Sequence, residues 1–185
     1  MKIKMNNKDE IHLYHTSQTE IKKPDIYYGR KNADFGQGFY LTPDKEFALR
    51  WAKKNSVINE YILDISGLSV HRFARDDEWF SYIYNNRQFK DSLNYDVIIG
   101  PIANDTIYNT YGIITSGFVK SEQAVKLLSI GNEYIQYAIK SEQAVSQLVW
   151  INSIQVDNVE QYRNILIKEE EEYQKAFAEV LLSIN

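Results

Sequence analysis

The chain has 185 residues, with three Pro and eight Gly, which is the size of one domain and excludes collagen-like or linker-rich polymers. No Cys and only three His exclude a disulfide scaffold, a thiolate metal site, a cysteine nucleophile and a histidine-rich metal site. The net charge of −4 argues against strong non-specific attachment to nucleic acid or anionic membrane, though not against a local basic patch. No apolar run approaches the ~20 residues that span a bilayer. The opening MKIKMNNKDE lacks the apolar core of a signal peptide, so a cytoplasmic protein is expected.

Alternation of Ile11, Leu13 and His15 with His12 and Tyr14 predicts a first strand over 11–15. A loop with Pro24 and Gly29 follows to Asp34, and FGQGFYLT (35–42) reads as a turn feeding a strand that ends near Leu41. Thr42 is a natural N-cap with Pro43 at the first helical position, opening a helix whose inner face carries Phe47, Ala48, Trp51 and Ala52. EYILDI (60–65) is a strand, and 76–87 has helical spacing through Trp79, Phe80, Ile83 and Tyr84. The continuous apolar run YDVIIGPI (95–102) predicts a buried central strand, with Asn104 and Asp105 just beyond it.

KSEQAV occurs twice, at 120–125 and 140–145, and reads as two helix starts capped by Ser121 and Ser141 around a strand at 134–140. Two copies are too few for a solenoid. From about Asp157 a stripe of Val159, Tyr162, Leu166, Tyr173, Ala176 and Val180 predicts an amphipathic C-terminal helix. The chain thus divides into a domain over 1–152 and a helical extension over 153–185.

Three segments carry chemistry: Tyr14-His15-Thr16-Ser17 ending a strand, Phe35-Gly36-Gln37-Gly38-Phe39-Tyr40 followed by Trp51, and Asn132-Glu133-Tyr134-Ile135-Gln136-Tyr137 in an aromatic strand. The glycine pair is not a dinucleotide fingerprint, since the third Gly is missing. Arg30 and Lys31 precede the second segment and are suited to a pyrophosphate or to solvent, while Asp34 orients the glycine turn.

In this order the segments resemble the ADP-ribosyltransferase superfamily, whose pattern is a His ending the first strand, a Tyr in a second, and a Glu or Gln opening a late one. FGQGFYLTPDKEFALRWA is similar to the FGKGIYF stretch of poly(ADP-ribose) polymerases, and His15-Thr16-Ser17 to their His-Gly-Ser. Over roughly 11–150, the blocks LYHTS, DFGQGFYLT, DDEWFSYIYNNR, YDVIIGPIAND and QYAIKSEQAV resemble a bacterial domain family of unknown function grouped with these transferases.

The resemblance implies a mixed α/β (α+β) fold: a split, mainly antiparallel sheet with an NAD cleft and surrounding helices. It implies NAD as co-substrate and no metal. Tyr40 and Trp51 would flank the nicotinamide, with stacking and cation–π contributions of about 0.5–2 kcal/mol each. His15 would hold a ribose hydroxyl and the backbone of Thr16 the nicotinamide amide, and Ser17, Gly38 and Arg30 complete the binding set. The third motif residue strengthens its hold on the ribose 2-hydroxyl as positive charge develops. Glu133 matches the polymerase string and Gln136 the bacterial family. Their opposite parity means that a regular strand turns only one of them inward.

The activity implied is mono-ADP-ribosyl transfer to a macromolecular acceptor with nicotinamide released; the acidic overall charge favours protein over nucleic acid as that acceptor. The setting implied is a bacterial toxin or defence effector whose C-terminal helix meets an antitoxin or other partner. NAD hydrolysis and a non-catalytic nucleotide-binding module are the rival readings.

Overall fold

A computed structural model describes residues 10–103 and 120–184; Asn104 and Asp105 lie outside them. The strands are β1 (Glu10–Ser17), β2 (Phe39–Leu41), β3 (Val57–Asp64), β4 (Val70–Arg72), β5 (Val97–Pro101), β6 (Ile135–Ile139) and β7 (Leu148–Gln155). The helices among the described residues are α1 (Lys45–Arg50), α2 (Asp77–Arg87), α3 (Ser121–Leu128), α4 (Glu142–Ser146) and α5 (Val159–Ile184). The fold is α+β.

Among the described residues two sheets form, one in the order β1-β3-β7 and one in the order β2-β6-β5-β4. All pairings are antiparallel except β4 with β5. Every residue of β5 is buried, as its continuous apolar run requires. Strand parity then sorts the second sheet's side chains. Phe39, Leu41, Val97, Ile99, Tyr137 and Ile139 turn toward the first sheet and pack with Leu13, Tyr61, Leu63 and Leu148. The opposite face carries Tyr40, paired with Ala138, and Gln136, paired with Gly100. On that side Ile98 and Ala138 join Phe35, Trp79 and Leu127 in a second core beneath α2 and α3.

Helix α2 starts one residue later than the spacing suggests: Asp76 caps it from outside by accepting from the Trp79 amide at 3.0 Å. Fully buried Trp79 donates its indole N–H to Pro101 O at 2.9 Å, fastening the helix to the end of β5. The other caps differ from expectation. Thr42 is held in a bridge to Tyr14, so its backbone cannot turn into a helix; α1 begins later, capped by Asp44. Of the repeat, Ser141 caps α4 as predicted, whereas α3 has Lys120 at its N-cap and Ser121 as its first helical residue.

Strands β4 and β7 have no counterpart among the expected elements. The 152/153 boundary falls inside β7, and α5 is no free appendage: Tyr173 and Phe177 are buried in the core with Trp79 and Leu127. Arg50, Glu169 and Tyr134 form a further tie, in which the Arg50 guanidinium meets both the Glu169 carboxylate and the Tyr134 hydroxyl.

A cleft where two sheets part

The two sheets meet at an isolated bridge, with Tyr14 N–H donating to Thr42 O at 2.8 Å and Thr42 N–H to Tyr14 O at 3.0 Å. Beyond it β1 runs on beside β3 while β2 runs beside β6, and a cleft of about 570 Å³ opens between them. That volume lies within the ~300–1,000 Å³ of small-molecule sites. His15, Thr16, Ser17, Arg30, Tyr40, Trp51 and Gln136 all line it.

His15 follows the bridge directly, and its Nδ1 lies 2.7 Å from Tyr40 O. A carbonyl only accepts, so Nδ1 carries the proton and Nε2 is left as an acceptor. The ring packs against Phe39 at 4.5 Å, and burial lowers its pKa below the ordinary 6.5, favouring this neutral form.

Tyr40 contributes a ring rather than a hydroxyl. Its O–H donates to Gly36 O at 2.6 Å and accepts from the Phe35 amide at 3.0 Å. Burial first, and then the neighbouring Asp34 charge, push the phenol well above its ordinary value, so it remains protonated. The turn it brackets needs glycine: Gly36 has φ of 75°, and a Cβ there would collide with the Asp91 carboxylate. Gly38 lies off the cleft wall. A Cβ at Gly38 would stand 2.7 Å from Ile139 O, so this glycine serves the close approach of β2 to β6.

Gln136 and Glu133 part because the strand starts between them rather than by parity within it. Gln136 is buried on the cleft side of β6, whereas exposed Glu133 lies before the strand, 3.6 Å from the Arg75 guanidinium. The Gln136 amide nitrogen is 3.4 Å from Asp34 Oδ2, which directs the amide N–H there and leaves Oε1 as an acceptor.

Asp34 is the residue that local sequence reasoning undervalues. It is a buried carboxylate in the cleft wall, paired with Arg87 at 2.8 Å, while Ala103 N–H approaches its second oxygen at 3.4 Å. The sequence sets Asp34 beside the glycine turn but gives no sign of its partner, because Arg87 arrives from the far end of α2.

The remaining lining is mixed. Thr16 gives its hydroxyl proton to Ala48 O, and the Ser17 hydroxyl is taken up by Thr19 O and Asn59. Both hydroxyl protons are thereby committed, while the Thr16 oxygen can still accept. Trp51 caps the end of α1 at the cleft mouth, edge-on to Phe47 at 6.0 Å and 47% exposed. Arg30 is an exposed cation on the same rim. Lys53 and Ile102 also line the wall, and no sequence signal singles them out. No group of His or acidic residues suited to a metal ion occurs among the described residues, and no described helix is long and apolar enough to cross a membrane.

A family model, described as a protein of unknown function (DUF3990), matches residues 11–150. No curated protein and no solved structure matches the chain.

Proposed function

The chain belongs to the DUF3990 family, and we propose that its cleft binds NAD and transfers ADP-ribose to a macromolecular acceptor. One observation carries this reading: the His15 Nε2 acceptor, the Tyr40 ring and the Gln136 Oε1 acceptor, from three distant segments, line a single cleft. They are the residues through which the chain resembles ADP-ribosyltransferases. Two hydrogen-bond acceptors suit ribose hydroxyls, and an aromatic face suits a cationic nicotinamide.

In the reaction, the bond between nicotinamide nitrogen and ribose C1′ breaks, and its electron pair neutralises the ring cation. The acceptor's heteroatom bonds to C1′ and releases its proton. Gln136 holds the adjacent 2′-hydroxyl by accepting from it, an interaction that strengthens as the sugar becomes oxocarbenium-like. The Asp34 carboxylate, directly behind, orients that amide. The cellular setting consistent with this chemistry is that of a toxin or defence effector acting in the cytoplasm.

The test is release of nicotinamide from labelled NAD, with and without cell lysate, by the wild type beside Tyr40→Ala, Gln136→Ala and Glu133→Ala. The reading expects release that requires Tyr40 and Gln136 but not Glu133, and label retained on macromolecules. Free ADP-ribose as sole product makes the protein an NAD hydrolase. NAD binding without release makes it a binding module, a reading favoured by the amide that stands in place of a carboxylate at position 136.

A further inference from the structure

Lys53 stands on the wall of the cleft and also on that of a second, broader groove of about 1730 Å³. This groove runs between the loop after α1 and the first turns of α5. Exposed Lys53, Lys54, Arg163 and Lys168 line it, against the carboxylates of Asp157 and Glu160. None of the four cations forms an ion pair among the described residues. On a chain of net charge −4, a local excess of unpaired cations is a focus for a polyanion.

We propose that this groove is the track of a single-stranded nucleic acid, which it leads past Lys53 and Trp51 to the mouth of the cleft. Three features favour this over an acidic peptide. The exposed Trp51 ring at the junction offers a face on which a base can stack, which no carboxylate side chain would use. The amides of Asn158 and Asn164 add donors and acceptors that suit base edges. The cations come from two elements facing each other across the groove, the arrangement that tracks a phosphate backbone. The inference names the acceptor class for the transfer proposed above and rests on that reading for the transfer step; binding itself does not depend on it.

The test is fluorescence anisotropy of a labelled 16-nucleotide single-stranded DNA of mixed sequence, titrated with the full chain over a salt series. A labelled poly-glutamate peptide serves as the comparison. Wild type binds the oligonucleotide more tightly than the peptide, with affinity falling as salt rises. Lys54→Glu/Arg163→Glu weakens it at least tenfold, and the log–log salt slope becomes shallower by about 0.7 for each phosphate no longer neutralised. Lys54→Arg/Arg163→Lys retains binding. Thermal melting of each variant checks that the fold is kept. Absence of binding at low salt, equal binding by the charge-reversed variant, or tighter binding of poly-glutamate overturns the proposal. Oligonucleotide binding is measured without NAD and nicotinamide release without oligonucleotide, so the two readings fail separately.

Discussion

Replacing Asp34 with Asn keeps its shape and removes its charge. The Arg87 guanidinium, 13% exposed, then loses the Asp34 charge, and its 2.8 Å hydrogen bond falls on a neutral amide oxygen. Breaking a buried pair from one side costs about 3–5 kcal/mol, and the surviving hydrogen bond places Asp34→Asn near the lower figure. For a chain of this length, about 3 kcal/mol corresponds to a melting temperature lower by roughly 6–12 °C. Arg87→Met should cost a similar amount, and the double variant less than the sum, because neither member is then left charged. The substitution also reaches the cleft. The amide introduced by Asp34→Asn can donate to Gln136 Oε1, which turns the Gln136 N–H toward the ligand side and should lower nicotinamide release. Thermal unfolding by circular dichroism measures the first effect, and a double-mutant cycle the coupling. A melting temperature within about 2 °C of wild type, well inside the shift expected for a broken buried pair, or strictly additive variants, would refute this account of the ion pair.

Other outcomes follow from the same geometry. Tyr40→Phe leaves the Phe35 amide without an acceptor and should cost about 1–3 kcal/mol in urea unfolding, while keeping the ring for a ligand. Burial holds the His15 pKa below 6.5, so the unfolded chain takes up the proton first as pH falls. The stabilisation is complete above about 6.5 and declines as pH falls toward the depressed native value. A His15→Gln variant should show a flatter dependence of unfolding free energy on pH across that window. Phe177→Ala should destabilise the protein by about 3–5 kcal/mol, whereas a helix lying outside the core would lose almost nothing.

Much of the architecture is legible where one signal dominates. Strands β1, β5 and β6 announce themselves by alternation or by an unbroken apolar run, and α2 by its helical stripe. Strand β7 hides because Val149, Ile151 and Ile154 are exposed apolar residues, and because the pairing shifts at Glu60/Tyr61, which spoils a regular alternation. The Thr42 cap misleads because its backbone is already committed to Tyr14, a partner distant in sequence.

Within the cleft, the strand bounds separate Gln136 from Glu133: β6 begins at Ile135, so Gln136 lies in the strand and Glu133 in the loop before it. The Asp34–Arg87 pair, the engaged hydroxyls of Thr16 and Ser17, and the shared wall at Lys53 are products of tertiary packing. A linear pattern carries no trace of them.

The stretch shared with the family ends at residue 150, part-way along β7, while the residues that close the core over Trp79 and Leu127 come from α5. The matched portion therefore leaves out side chains that cover this core. Trimmed to that portion, the protein would present a wet apolar wound on the back of its central sheet. Variation in the stretch outside the family match can loosen or tighten the scaffold of the cleft without altering any residue that lines it. Fragments for expression, and comparisons among relatives, are better bounded by the end of α5 than by the limits of sequence similarity.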